Sequence, residues 1–176
     1  MSVPDETLAA AAADGDADAF SALLGRHYDR VFRIAFRLTG SHAEAEDLTQ
    51  DIAMALPAKL GGYRQDARFT TWLYRVVVNA AHDRRRRQGA QARAADGWGE
   101  VEIARRAEAA EAEVAMDWLA TAMTRLPEPL RDTLVLIFDD LTHAQVAEVL
   151  GISEGTVSWR MSEAKKQLRA LKEAEA

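Results

Sequence analysis

The sequence contains no cysteine, so the chain can form neither a disulfide framework nor a thiolate metal site. A reducing compartment is therefore the simplest setting for it. It also has no apolar run long enough to cross a bilayer, and the short apolar segment at 8–13 is too poorly flanked to be a signal sequence. We therefore expect a cytoplasmic protein that does not insert into membranes.

An excess of positive charge is also missing, because 22 Lys and Arg residues stand against 28 Asp and Glu residues and the net charge is −6. This balance argues against a protein that holds DNA tightly by itself. The charge is unevenly distributed, however, since residues 59–93 contain nine basic side chains against only Asp66 and Asp83. We infer a local contact with a phosphate backbone that needs a helper protein to bring it onto DNA.

An amphipathic helix pattern runs from Phe69 into four consecutive arginines at 84–87. Apolar residues at helical spacing predict one buried stripe, made of Phe69, Trp72, Leu73, Val76, Val77 and Ala80. One flanking face carries Arg75, Asn79, His82 and Arg86. Guanidinium, amide and indole groups can contact phosphates, base edges and base faces, which suits nucleic acid. A core helix with a solvated basic end explains the pattern equally well.

The preceding helix is predicted to open with a capping box formed by Ser41 and Glu44 and to end near Leu56, because Pro57 interrupts the pattern. Its buried line contains Ala45, Leu48, Ile52 and Leu56, and its exposed side contains Asp47, Gln50 and Asp51. The helix dipole explains carboxylates in the first turn but not Asp51. The exposed acidic face is either a docking surface or merely solvated, and the spacing alone favours the solvated face.

Two polar segments flank the basic helix. The loop that precedes it carries Tyr63, Arg64 and Arg68 and is a weak candidate for a pocket that takes an unstacked base. Residues 93–116 are rich in Ala, Gly and Glu without sustained amphipathic spacing, which predicts a linker. The chain of 176 residues is therefore expected to contain two small domains, at 1–92 and 117–176, joined by this linker.

Residues 143–161 fit a helix-turn-helix motif. Ala147 is small where two helices would cross, Gly151 stands where the turn needs a positive φ, and Val157 supplies the apolar contact that closes the angle. These constraints predict a DNA-reading unit, with a structural helical hairpin as the alternative. The recognition helix would contact DNA through Ser153, Glu154, Thr156, Ser158, Trp159, Arg160, Ser162, Lys165, Lys166 and Arg169.

With both halves considered, the sequence resembles the bacterial extracytoplasmic-function (ECF) sigma factors, group 4 of the sigma-70 family. The resemblance covers roughly 20–90 and 117–173, and its motifs are AEDLTQD at 45–51, FTTWLYR at 69–75, NAAHDRRRR at 79–87 and LTHAQVAEVLGISEGTVSWRM at 141–161. It implies an all-α fold of two small helical domains joined by a linker, the C-terminal one a helix-turn-helix. It also implies a protein without enzymatic activity that directs RNA polymerase to promoters.

The resemblance assigns partners and positions. The partners are core RNA polymerase, through its clamp and flap, promoter DNA and an anti-sigma factor, all in the bacterial cytoplasm. Docking on the clamp falls to Asp47, Leu48, Gln50 and Asp51, which overturns the preference for a solvated face. Contacts with the −10 element fall to Tyr63, Arg64, Arg68, Trp72, Arg75, Asn79, Arg84, Arg85, Arg86 and Arg87. The helix-turn-helix reads the −35 element, and residues 130–138 lie near the flap.

Two other classes of protein are alternatives. An autonomous helix-turn-helix regulator would bind its promoter tightly without polymerase, usually as a dimer, but the sequence shows no obvious dimerisation stripe. A helical enzyme would use an acidic set with one histidine, made of His42, Glu44, Glu46, Asp47 and Asp51. His42 and Glu46 have the spacing of two metal ligands, yet no second Glu-x-x-His helix supplies the others. We therefore expect no catalytic residue, metal or cofactor.

Overall fold

The computed structural model describes residues 3–94 and 118–175, which contain eight α-helices and no strand. The helices are α1 (Asp5–Ala13), α2 (Ala17–Thr39), α3 (His42–Leu60), α4 (Phe69–Ala94), α5 (Trp118–Thr124), α6 (Glu128–Ile137), α7 (His143–Leu150) and α8 (Glu154–Ala174). The predicted all-α fold is confirmed. Most of the predicted linker lies outside the described residues. Within the described ranges, no helix is both long and apolar enough to span a membrane.

Helices α1 to α4 form the N-terminal domain, in which α2 packs against α1, α3 and α4. Asp16 caps α2 by accepting hydrogen bonds from the backbone N–H groups of Asp18 and Ala19. The core contains large apolar side chains from three helices, which are Leu23, Ile34, Leu38, Leu48, Leu60, Phe69 and Val77. Fully burying a side chain of this size contributes about 1.5–3 kcal/mol to folding, so this core holds α4 in place.

The start and end of α3 differ from the prediction. Ser41 accepts a hydrogen bond from the backbone N–H of Glu44, but the structure shows no reciprocal bond from the Glu44 side chain, so the predicted capping box is half formed. The helix continues through Pro57 to Leu60. Leu60 is 1% exposed, and its burial in the core explains why the last turn stays helical despite the proline.

Helices α5 to α8 form the C-terminal domain, which contains the predicted helix-turn-helix. Thr142 and Gln145 form a complete capping box at the start of α7. Gly151 ends α7 with φ 66°, the left-handed conformation that the turn requires. Ser153 caps α8, and Val157 is fully buried between α8 and its neighbours. The prediction of this motif is confirmed.

The two domains pack against each other through α6, which lies between them. Its residues 130–136 are all buried. Arg131 donates to three carbonyl oxygens of its own domain and, across the interface, to the carbonyl of Leu38 at 3.3 Å. Phe138, just after α6, is 39% exposed. In this arrangement most of the segment that was assigned to the polymerase flap is therefore covered.

Packing on two sides also changes the buried face of α4. The predicted stripe is right for Phe69, Leu73 and Val77, which are at most 3% exposed. Trp72, Val76 and Ala80 are only partly buried, whereas the unpredicted residues Thr71, Tyr74, Val78 and Ala81 are buried. The sequence pattern shows one apolar stripe, but α4 contacts α2 and α3 as well as α7 of the other domain.

Gly40 combines a backbone requirement with a close contact between the domains. It ends α2 with φ 71°, and an added Cβ would overlap Cγ2 of Thr124 in α5. We expect Gly40→Ala to lower the free energy of unfolding by about 1–2 kcal/mol through left-handed strain alone, and further through the overlap. Urea denaturation followed by circular dichroism measures the loss. When Thr124 is also replaced by Ala, Gly40→Ala should lower the free energy of unfolding only by the cost of the left-handed strain. An equal loss with and without Thr124 would contradict the placement of α5 beside Gly40.

Candidate nucleic-acid and polymerase interfaces

The acidic face of α3 is open to solvent. The side chains of Asp47 and Asp51 are 66% and 58% exposed, and Gln50 is exposed beside them. The assignment of Leu48 as a docking residue stays a prediction, and in this structure Leu48 is 1% exposed and packs into the core. Its place in the buried line of the helix explains this result. Asp51 lines an open groove between α3 and α4, together with Asn79, Arg84 and Arg87.

Arg84 joins the acidic face to the basic end of α4. Its Nη2 lies 3.1 Å from Oδ2 of Asp47, and its Nη1 lies 3.4 Å from Oδ2 of Asp51. Arg84 was predicted to contact the −10 element together with the next three arginines. The structure instead turns it towards α3, because position 84 lies on the side of α4 that faces the groove. Arg86 pairs with Asp83 at 2.9 Å, while Arg87 is exposed.

The loop before α4 packs its aromatic residue against the start of the helix. The Tyr63 hydroxyl donates to the carbonyl of Ala67 at 2.8 Å. The Tyr63 ring lies 5.3 Å from the Trp72 ring and 5.7 Å from the Phe69 ring, measured between centroids. Burial raises the pKa of Tyr63, and the charges of Glu6 and Asp5 add to this effect. The loop therefore places the Tyr63 ring next to the partly buried indole of Trp72, and the two rings form an aromatic surface.

Exposed polar groups surround this aromatic surface. Arg64 and Arg68 are exposed in the loop, and Asn79 is exposed two turns along α4. Trp72 keeps part of its ring accessible. These groups are of the kinds that contact base faces, base edges and phosphates, and their assignment to the −10 element stays a prediction.

Two of the predicted −10 residues, which stay partly exposed, contact the C-terminal domain. Arg75 donates to the carbonyl of Glu148 in α7 at 2.6 Å. Arg85 forms an ion pair with Glu128 at the start of α6. His82, which lies on the same side of α4, places its Nε2 2.7 Å from Oδ2 of Asp132. Burial raises the pKa of Asp132, and the charge of His82 opposes this effect.

Asp139 is a central hydrogen-bond acceptor at this interface, and the sequence pattern did not predict it. Its side chain is only 5% exposed, and the Tyr74 hydroxyl donates to it at 2.6 Å. Three arginines of α2, Arg30, Arg33 and Arg37, place nitrogen atoms 3.3–3.7 Å from its carboxylate. Burial raises the pKa of Tyr74, and the bond to Asp139 raises it further, so the phenol stays a proton donor. The only hint of this contact in the sequence is the regular spacing of Arg30, Arg33 and Arg37 along α2.

The recognition helix α8 has one solvent-exposed face, and a few of its side chains form hydrogen bonds within the protein. Trp159 is 63% exposed, so protein does not cover it. Ser153 accepts from the backbone N–H of Thr156 as the N-cap, and Ser158 lies 3.1 Å from Nδ1 of His143. Arg160 and Thr156 are partly buried. The remaining residues predicted to contact DNA are exposed, namely Glu154, Ser162, Lys165, Lys166 and Arg169.

One cluster between the domains has the composition of a metal site. His82, Glu128 and Asp132 place one ligand atom each within 4.8 Å of the others. Arg85 is paired with Glu128 in the same cluster, so a cationic group already balances this carboxylate. We therefore describe it as part of the contact between the domains.

Comparison with protein families places two segments of the chain. Residues 23–91 match the model of Sigma-70 region 2, and residues 116–168 match the model of Sigma-70, region 4. The first segment contains most of the N-terminal domain, with the acidic and basic faces described above. The second contains the helix-turn-helix. The two models together define a sigma-70 protein with regions 2 and 4.

Comparison with characterised proteins is more specific. The chain is 34% identical over 169 residues to the ECF RNA polymerase sigma factor SigM of Mycobacterium tuberculosis, covering 95% of this chain and 84% of SigM. It is 27% identical over 168 residues to SigW of Bacillus subtilis, covering 88% of this chain and 89% of SigW. The chain belongs to the ECF RNA polymerase sigma factors, a class of the sigma-70 family without enzymatic activity.

Solved structures agree with this assignment. The chain is similar to CnrH in its complex with the cytosolic domain of CnrY, with a TM-score of 0.70, 28% identity and coverage of 98% of this chain and 99% of the other. RpoE of Bartonella quintana, solved with the anti-sigma factor NepR, matches with a TM-score of 0.68 at 22% identity over 89% of this chain and 98% of the other. The second similarity supports the fold alone.

Proposed function

We propose that this chain binds core RNA polymerase through α3 and directs it to promoters. The observation that carries the proposal is the exposed acidic face of α3 beside the basic end of α4. Asp47 and Asp51 present carboxylates to solvent, and their side chains are 66% and 58% exposed. The net charge of −6 disfavours binding to DNA by the chain alone. Polymerase would instead hold both DNA-binding domains on one promoter.

The N-terminal domain is proposed to take the −10 element as a single strand. Extruding a base costs a few kcal/mol, so the site needs an aromatic surface together with a basic track. Tyr63 and Trp72 supply the aromatic surface, and Arg64, Arg68 and Arg87 supply exposed positive charge. Asn79 would contact a base edge.

The C-terminal domain is proposed to read the −35 element with α8 in the major groove. Its exposed face combines Ser158, Trp159 and Ser162 with the basic side chains of Lys165 and Lys166. Hydroxyl and indole groups suit base edges and thymine methyl groups, and the lysines suit phosphates. Each specific base contact would contribute about 1–3 kcal/mol of discrimination.

Control by an anti-sigma protein is a further part of the proposal. CnrH, to which the chain is similar along its length, was solved with the cytosolic domain of CnrY. A protein of that kind could bind this chain and compete with polymerase. The bacterial cytoplasm is the compartment in which polymerase, promoter and chain would meet.

Removal of the aromatic and amide groups of α4 tests the −10 assignment. We expect Trp72→Ala and Asn79→Ala to reduce promoter opening by roughly 5- to 160-fold, the equivalent of about 1–3 kcal/mol of stacking or base contact. Permanganate footprinting of the melted strand measures opening, and a pull-down with core polymerase measures association. Association should be unchanged, because neither residue lies on the acidic face.

Tyr28→Ala is the matched control for these variants, since Tyr28 is an aromatic residue that is 38% exposed on α2. It should leave opening and association at the wild-type level. Loss of polymerase association in Trp72→Ala would show that α4 docks on polymerase and that the two faces have been assigned the wrong way round.

A further inference from the structure

Helix α1 packs against the other three helices of the N-terminal domain. Leu8, Ala9 and Ala12 are buried on its inner side. Its first turn carries the carboxylates of Asp5 and Glu6, and these accept hydrogen bonds from α2 and α4 respectively. The helix dipole favours carboxylates in a first turn wherever they point. It therefore does not explain why both side chains are held by other helices.

Glu6 caps the start of α4. Its Oε1 accepts a hydrogen bond from the backbone N–H of Phe69, the first residue of α4, at 3.2 Å. The first N–H groups of a helix have no partner within the helix. The residue before α4 is Arg68, whose side chain can only donate. Glu6 thus supplies the acceptor that a Ser, Thr, Asp or Asn at the N-cap normally supplies.

Asp5 holds the ring of His27 on α2. Its Oδ2 lies 2.8 Å from Nε2 of His27, and its Oδ1 lies 3.0 Å from Nη1 of Arg26. Nη1 of Arg30 lies 3.4 Å from Nδ1 of the same ring. Because a guanidinium only donates, Nδ1 is the acceptor, and Nε2 donates to Asp5 when the ring is neutral. The ring is therefore fixed at both nitrogen atoms, and His27 is 6% exposed.

Both contacts of α1 lead to Phe69. The His27 ring lies 5.3 Å from the Phe69 ring between centroids, and Phe69 is 1% exposed. The rings of Tyr63 and Trp72 each lie 5.7 Å from the Phe69 ring. Phe69 is thus the common neighbour of these three rings, while Glu6 holds its backbone. The aromatic surface of Tyr63 and Trp72 therefore lies on a residue that α1 holds in place.

We propose that Glu6 is a positioning residue for this aromatic surface: by capping α4 at Phe69, it sets where the rings of Tyr63 and Trp72 lie. Asp5 assists through His27. The inference rests on the proposed function, in which the same surface takes an unstacked base of the −10 element. A base stacks only on a ring face that is held in the right orientation, so fraying of the first turn of α4 would weaken the contact.

Hydrogen exchange at the Phe69 amide tests the cap in the full-length chain. Glu6→Ala should speed this exchange about fivefold, because losing a side-chain cap typically changes a local equilibrium by that factor. Glu6→Gln keeps an acceptor oxygen and should exchange within about twofold of the wild type. Glu6 is partly exposed, so both variants should stay folded, as circular dichroism can verify. Equal exchange in Glu6→Ala and the wild type would overturn the inference.

Promoter opening with core polymerase tests the consequence of the cap. Glu6→Ala should lower permanganate reactivity of the melted strand about fivefold, Glu6→Gln should keep it, and association with polymerase should be unchanged in both. Asp14→Ala is the matched control, since it removes a carboxylate from the exposed far end of α1. An equal loss of opening in Glu6→Gln or in Asp14→Ala would overturn the inference, because charge would then be responsible instead of the cap.

A double-mutant cycle shows whether Glu6 acts through the rings. The Trp72→Ala variant has no indole left to position, so adding Glu6→Ala should lower opening by less than a further factor of about two. A residue that merely stabilised the fold would lower opening by the same factor with and without Trp72. Equal factors in the two backgrounds would therefore overturn the positioning role.

The same variants separate this inference from the proposed function. If Trp72→Ala reduces opening and Glu6→Ala does not, the positioning role alone is overturned. If Trp72→Ala opens the promoter like the wild type while exchange at Phe69 still depends on Glu6, the assignment of the −10 surface is overturned, and the positioning role is overturned with it.

Discussion

Asp51→Arg is expected to weaken association with core RNA polymerase by about 2–5 kcal/mol, or roughly 30-fold to several-thousand-fold. The carboxylate is 58% exposed on α3, and the variant would replace it with a cation next to Arg84. A positive partner surface would then be repelled, and Arg84 would lose one of its two ion pairs. A pull-down with core polymerase and a titration by fluorescence anisotropy measure the loss.

The control for this variant is Asp29→Arg, which makes the same charge reversal at an exposed position on α2, away from the groove. It should bind polymerase like the wild type. Thermal denaturation of both variants should match the wild type within about 0.5 kcal/mol, because exposed substitutions of this kind have small effects on stability. Unchanged association of Asp51→Arg would count against docking through α3.

Val157→Asp is expected to unfold the C-terminal domain. Val157 is 0% exposed between α8 and the rest of the helix-turn-helix, and an unpaired carboxylate there would cost about 4 kcal/mol or more. That cost is comparable to the whole stability of a small domain. Loss of helical signal in circular dichroism, and loss of transcription from promoters that require a −35 element, measure the effect.

Ser158→Asp separates folding from DNA recognition at the adjacent position. Ser158 is exposed on α8, so the new charge stays solvated and the helical signal should be preserved. Transcription from a −35-dependent promoter should nevertheless fall, because a carboxylate on the recognition face repels phosphates. A stable Val157→Asp variant would contradict the packing of α8 in this structure.

Local features of the fold were predictable because the signals lie close together in the sequence. Thr142 with Gln145, Gly151 and Ser153 specify the start and end of the helices around the turn, and Gly151 has the left-handed conformation predicted for it. Pro57 was misread because the burial of Leu60 outweighs the local preference. That outcome depends on tertiary packing, which a window of neighbouring residues does not contain.

The interface between the domains was the part that the sequence could not reveal. Asp139 follows α6 in a short loop, and its partners Arg30, Arg33 and Arg37 lie about a hundred residues earlier. Arginines at this spacing on a helix are equally compatible with a solvated face. Only the three-dimensional contact shows why α2 carries them. The same contact explains the burial of Tyr74 on α4, whose hydroxyl donates to Asp139.

Run-off transcription with core polymerase on a library of genomic fragments tests the central claim most directly. The account predicts discrete new start sites only when polymerase and the chain are both present, and none with Asp51→Arg. If the chain leaves the start sites of polymerase unchanged, or if it binds such sites selectively without polymerase, the account is contradicted.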